Sequence, residues 1–349
     1  MEKILIIKIS SLGDVLHAFP AVSLLAEKFP EARIDWLVNP AFAPVLRYNR
    51  HVRRIIHFPR RELGSPLKFP SAFRKLLAEL RSERYDMAID LQGLLRSALF
   101  AKFAKADSVA GFSAPKEKVA ALFYDRRLSP ELQYVHAVEK NTRFISMLFD
   151  IPFSVPQEDL PEDSSGMKAV RLLLEKKGVP ADGSIIAVAP GARWKSKQWP
   201  PAFFAEVMDK VHESASDSIF LLLGSRDEIG ICGSIASACR KAKPVVIAGE
   251  TGIGELVEAL RISKCLLCND SGPMHIAASL RKPVFAMFGP TDPGKTGPYG
   301  KGHAVFQPYL GCIKCLKRYC PRKNYHCHAS VKTDLVAEKI ISLVRSKEV

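Results

Sequence analysis

Five short stretches hold the residue types that chemistry needs. Ser10-Ser11-Leu12-Gly13-Asp14 puts a carboxylate where a mostly aliphatic run, Ile4 to Ile9, gives way to a helical pattern of Val15, Leu16, Phe19, Val22, Leu24 and Leu25. Such a carboxylate either caps the helix or, at the carboxyl end of a strand, serves as a general base. The positive end of a helix keeps it ionised, at some cost in basicity. Asn269-Asp270-Ser271-Gly272-Pro273-Met274-His275 closes a second apolar run. Ser271 and Gly272 fall at a helix N-terminus with Pro273 in its first turn, an arrangement whose N–H groups suit a diphosphate as well as an ordinary cap. His275 is either a core or capping histidine or a ligand contact. Gly191-Ala192-Arg193-Trp194-Lys195-Ser196-Lys197-Gln198-Trp199-Pro200 offers Arg193 and Lys197. These are either solvated cations or a counter-charge for a phosphate leaving group.

The other two stretches are less specific. Phe288-Gly289-Pro290-Thr291-Asp292-Pro293 reads as a Pro/Gly turn after a buried strand or as a loop lining a nucleotide pocket. Cys312, Cys315, Cys320 and Cys327 can make a tetrahedral zinc site of unusual spacing, free thiols in a basic loop, or an adventitious disulfide. Cys232, Cys239, Cys265 and Cys268 sit in periodic apolar contexts and read as reduced core thiols. No G-x-G-x-x-G follows the first strand, so a dinucleotide fingerprint is not supported.

Strand-like and helix-like runs alternate along the 349 residues, the rhythm of a parallel α/β sheet. KILIIKI, ARIDWLV and YDMAIDLQ read as strands in the first half, with Val52–Phe58 a weaker candidate and helices over 14–28, 70–84 and 93–105. Residues 149–166, rich in Pro, Asp, Glu and Ser, read as an interdomain linker plus a short lead-in to the second domain. SIIAVAP, SIFLLLG, PVVIAG, KCLLCND and KPVFAMFG then restart the rhythm, and an amphipathic helix closes the chain. The expected domains are 1–160, 161–330 and a terminal helix within 331–349. Two doubly wound α/β domains are expected to face one cleft, with ligands beyond the carboxyl ends of the strands.

Net charge is +15, and residues 46–128 hold 18 Lys/Arg against 8 Asp/Glu. An excess so placed is either a solubilising surface or a face for an anionic partner. No apolar run reaches the ~20 residues of a membrane span. The opening run reads as a strand, not a signal peptide, and a cytoplasmic location is expected.

Taken together, the motifs resemble glycosyltransferase family 9, the bacterial lipopolysaccharide heptosyltransferases. The likeness is carried by IIKISSLGDVLHAFPAV, IDLQGLLRSAL, HAVEKN, KQWP, NDSGPMHIAA and FGPTDPGKTGPYG, in that order. The first and last most resemble members that transfer the first L-glycero-D-manno-heptose from ADP-heptose to Kdo2-lipid A. The resemblance implies a GT-B fold with acceptor site in the N-terminal domain and sugar nucleotide in the C-terminal one. It implies an inverting reaction with no catalytic metal or cofactor, no nucleic-acid partner, and peripheral association with the inner face of the inner membrane. It makes Asp14 the base and Lys197 the counter-charge of the departing diphosphate. Glu228 is implied near the ribose, with Asp270, Ser271, Gly272, His275 and Arg193 on the donor. Ser11, Gly13, Arg60, Arg61, Gln92, Arg96 and His136 fall to the acceptor. The cysteine-rich stretch and the unusually basic loop GARWKSKQW depart from the pattern. Heptosyltransferase II, another member with a different donor or acceptor, and a non-catalytic nucleotide- or nucleic-acid-binding protein are the competing readings.

Overall fold

Ile4, Leu5, Ile6 and Ile7 are all fully buried. A strand without apolar–polar alternation belongs inside a parallel sheet covered on both faces, and that is where the computed structural model places it. The model describes residues 1–129, 135–157 and 159–346. The chain divides into two units, Met1–Pro161 and Glu162–Val349.

In the first unit the strands are β1 (Lys3–Ile7), β2 (Arg33–Val38), β3 (Val52–His57), β4 (Tyr85–Asp90), β5 (Ala106–Phe112) and β6 (Arg126–Leu128). They form one sheet in the order β3-β2-β1-β4-β5-β6, with every pair parallel. β1 pairs with β2 on one side and β4 on the other, Ile4 standing opposite Ile34 and Met87. The order reverses there, so the crevice beyond the ends of β1 and β4 is the topological switch point where such sheets bind ligands.

The second unit repeats the layout. Its strands are β7 (Ser184–Ala189), β8 (Ser218–Leu222), β9 (Val245–Val246), β10 (Cys265–Asn269), β11 (Val284–Met287) and β12 (Ala304–Phe306). The order is β12-β11-β10-β7-β8-β9, again all parallel, with its switch point between β7 and β10. Each unit has its own core. The first gathers Leu5, Ile7, Leu76, Leu80, Tyr85 and Phe100, and the second Val188, Trp199, Phe204, Leu222, Leu267 and Met287. Val336, Ala337 and Ile340 carry the terminal helix Thr333–Arg345 into that second core, and it packs on the helix Pro201–Ser214. Residues 347–349, included in the expected terminal helix, lie outside the described residues. No helix among the described residues is long and apolar enough to cross a membrane.

Several sequence expectations are corrected. The helix read over 14–28 is two, Leu12–Leu16 and Phe19–Lys28. Pro20 lacks the N–H that would bond Leu16 and so sits in the first turn of a new helix. The lead-in at the end of 149–166, a stretch of which residue 158 lies outside the described residues, is the start of the helix Ser164–Lys176, capped by the Asp163 carboxylate on the Ser165 N–H. PVVIAG contributes only two residues of strand. β5, β6 and β12 are strands that periodicity did not mark.

Candidate active site

At the first unit's switch point, Ser11 caps the helix Leu12–Leu16 and Asp14 is its third residue. Oδ2 of Asp14 accepts from the Ser11 backbone N–H at 2.8 Å and from the Ser11 hydroxyl at 2.9 Å. The reciprocal cap holds the carboxylate at a fixed place past β1. Gly13 is buried in the same turn. Gln92, just past β4, braces it: its Oε1 accepts from Ile9 N at 2.8 Å and Ser10 N at 2.9 Å. That amide carbonyl is therefore committed to shaping the turn, and only its NH2 could meet an acceptor.

Two groups that motif reading passed over lie beneath. Lys8 is buried and donates from Nζ to the Leu91 carbonyl at 2.6 Å. Burial pushes its pKa down, while the carboxylates of Asp14 and Asp90 pull it back up. Asp90 is fully buried at the end of β4. It accepts from Ser97 Oγ at 2.8 Å, Tyr124 OH at 2.7 Å and the backbone N–H groups of Gln92 and Gly93. Burial raises its pKa against those four bonds. A lysine inside an otherwise aliphatic run was the available signal, because an unpaired ammonium is too costly to bury.

The acceptor candidates divide. His136 caps the helix Ala137–Phe149 through Nδ1 on the Val138 N–H. Its ring meets His17, the residue ending the Asp14 helix, edge-on at 5.2 Å. Arg96 is exposed in the first turn of the helix Leu95–Phe103 after β4. Arg60 and Arg61 are exposed in the short helix Arg60–Leu63 after β3, two strands from β1.

At the second unit's switch point the residues are tied more tightly. Asn269, fully buried, donates from Nδ2 to the Pro190 carbonyl at 2.7 Å and accepts from Trp199 N at 3.0 Å. It staples the loop after β7 to the end of β10, as Gln92 does in the first unit. Lys197 Nζ lies 2.6 Å from Asp270 Oδ2. Thr291 Oγ1 donates to the same oxygen at 2.5 Å, and the ammonium stands 4.9 Å from the centre of the Trp194 ring. An ammonium with three donors, held by one carboxylate over an aromatic face, keeps donors for a phosphate.

Ser271 caps the helix Gly272–Ser279, and His275 is nearly buried in its first turn. Glu228 sits past β8, its Oε2 accepting from Ser225 N at 2.7 Å and Ser225 Oγ at 3.0 Å. A Cβ at Gly191 would overlap that carboxylate, so the glycine is what lets Glu228 lie against the loop after β7. Arg193 is exposed in that loop.

The cysteine-rich segment lies over these loops. Ser196 N donates to the Arg318 carbonyl at 3.1 Å and Ser196 Oγ to the Lys317 carbonyl at 2.5 Å. Lys314 N and Leu316 N donate to Gly289 and Pro290 at 2.9 and 2.8 Å. The buried His328 ring meets the Ser196 carbonyl at 2.7 Å through Nε2, and burial lowers its pKa. Cys312, Cys315, Cys320 and Cys327 are free thiols, and among the described residues no three His, Cys, Asp or Glu gather as metal ligands would. Burial opposes ionisation of Cys320, but the backbone N–H groups of Tyr325, Arg322, Asn324 and Lys323 hold its thiol below the usual range. The other four cysteines are free thiols too, three fully buried and Cys239 half-buried.

Two Rossmann-like units, each with a polar cluster at its switch point, are the parts of a GT-B glycosyltransferase. Solved structures bear out the fold: E. coli heptosyltransferase WaaC with ADP superposes with a TM-score of 0.78 at 24% identity, covering 98% of this chain and 99% of that one. Lipopolysaccharide heptosyltransferase 1 of Pseudomonas aeruginosa is 30% identical over 91% of this chain and 87% of its own length. The Escherichia coli K12 protein of the same name is 28% identical over 98% and 100%. The family model for glycosyltransferase family 9 (heptosyltransferase) matches residues 73–326, and the chain belongs to that family.

Proposed function

We propose that this enzyme moves L-glycero-D-manno-heptose from ADP-heptose to a Kdo hydroxyl of Kdo2-lipid A, with inversion and at the cytoplasmic face of the inner membrane. One observation supports the reading: in two like-wound sheets, the loop after the first strand presents a charged group. The first presents a fixed carboxylate, Asp14, and the second an ammonium, Lys197, held by the Asp270 carboxylate. The two relatives named heptosyltransferase 1 support the choice of the first heptose.

In the reaction Asp14 takes the proton of the Kdo hydroxyl as its oxygen attacks the anomeric carbon. The anomeric C–O bond to the diphosphate breaks, and ADP leaves with its new charge met by Lys197 and the N–H groups at Ser271 and Gly272. Asp270 and Thr291 hold Lys197 in place, and Glu228 takes the ribose. Arg60, Arg61, Arg96 and His136 meet the anionic acceptor. No metal is required, so a chelator leaves turnover unchanged.

Incubation with ADP-heptose and Kdo2-lipid A should add one heptose by mass, and Asp14→Ala should abolish turnover while ADP-heptose still binds. Near-normal turnover in that variant overturns the base assignment. Transfer only from another ADP-, UDP- or GDP-sugar, or only to an acceptor already carrying heptose, replaces the substrate with that of another family member.

A further inference from the structure

Lys8 is the first residue past β1, and it is only 8% exposed. Its backbone is pinned on both sides. The Lys8 carbonyl accepts from Trp36 Nε1 at 3.1 Å, and the next two N–H groups, of Ile9 and Ser10, end on Gln92 Oε1. The side chain gives one of its three donors to the Leu91 carbonyl at 2.6 Å. A neutral amide or hydroxyl would serve a carbonyl as well, and without the cost of burying an ammonium. The charge needs another reason.

Two carboxylates from different elements supply one. Asp90 closes β4, and Asp14 stands in the helix Leu12–Leu16. Both attract the Lys8 ammonium, Asp14 more strongly, while Lys116 in the loop after β5 repels it. Asp90 has other support. It is fully buried and accepts from Ser97 Oγ, Tyr124 OH and the N–H groups of Gln92 and Gly93. Asp14 is half-buried, and its Oδ2 is bonded by Ser11 alone among neighbours of its own turn. The other end of its helix carries His17, against the His136 ring. A cation set into the sheet beside a carboxylate favours the ionised form of that carboxylate and fixes its direction. The simpler alternative is that Lys8 only balances the buried Asp90.

We propose that Lys8 is the positioning residue of the base: its buried ammonium keeps the Asp14 carboxylate ionised and held in one place beyond β1. The inference rests on the proposed function, which makes Asp14 the base, but its first test needs no sugar transfer. The full chain is labelled with carboxyl-13C aspartate, the Asp14 resonance is assigned by its loss in Asp14→Asn, and the carboxyl is titrated. Lys8→Gln, which removes the charge and keeps a donor, should raise the Asp14 midpoint by about one pH unit, a roughly tenfold tighter hold on the proton. Lys8→Arg should leave it at the wild-type value. The acid limb of kcat/KM against pH should move up with the midpoint, while the KM for ADP-heptose stays. Should Lys8→Gln alone not fold, Asp90→Asn is compared with Lys8→Gln/Asp90→Asn, in which no buried carboxylate loses its cation. The double variant should again titrate about one unit above its parent. An Asp14 midpoint that Lys8→Gln leaves unmoved overturns the proposal. So does a double variant that titrates like Asp90→Asn, since Lys8 would then serve Asp90 alone. A midpoint that moves as expected, in an enzyme whose Asp14→Ala variant keeps its turnover, would sink the base assignment and leave the coupling of Lys8 to Asp14 standing.

Discussion

Gly191 shows how much rests on one missing methyl. A Cβ there collides with the far end of the Glu228 side chain, which can swing away, so Gly191→Ala should cost little stability. If Glu228 takes the ribose as proposed, the change should instead weaken ADP binding about tenfold by displacing that carboxylate, as calorimetric titration would read. Adding Glu228→Ala should produce no further loss, because the two changes remove one and the same contact. The turns that hold Asp14 and Asp270 were legible in the sequence because strand-like runs stop just before them, and Lys197 because it lies in the loop after a third; the roles proposed for them rest on the family resemblance. Lys8 and Thr291 were not legible, because their meaning lies in distant partners. Lys8 bonds the carbonyl of Leu91, and Thr291 bonds Asp270 from the end of a different strand.

Between elements, the two staples differ in the water available to them. Asn269 is fully buried, so Asn269→Ala strands the Pro190 carbonyl and the Trp199 N–H. It should cost about 2–3 kcal/mol in urea unfolding. Gln92 is half-exposed, water can replace it, and Gln92→Ala should cost about 1 kcal/mol. A third tie is acid-labile. Burial works against the Asp209 carboxylate, but the N–H groups of Arg240, Ala242 and Lys241 hold it below its ordinary 3.8. A group depressed on folding gives stability that is present above its unfolded pKa and lost as pH falls through the folded one. Asp209→Ala should therefore destabilise by about 1–3 kcal/mol near neutral pH, with the gap closing below about pH 4 in melts compared across pH. Element types were readable from apolar runs. The short edge strands β6 and β12 were not, since three residues make no period, and the broken first helix turned on a single proline.

At the scale of the whole chain, both sheets have the same strand order although no repeat shows in the sequence. Parallel winding needs only aliphatic runs at the right intervals, and those leave no letter-by-letter likeness. Each unit owns a complete sheet and a separate core. Residues 162–349 alone should therefore fold cooperatively and bind ADP within about tenfold of the full chain, and Lys197→Ala in that fragment should weaken it. A fragment that folds without binding ADP would move the donor site off this unit.

Of the three tryptophans, Trp36 and Trp199 are sealed in the interior, whereas Trp194 lies partly open under the Lys197 ammonium. Any ligand that draws that cation away changes the electric field across the Trp194 indole. The protein thus carries its own optical reporter: nucleotide titration should alter the native emission without a label, and Trp194→Phe should leave the signal flat.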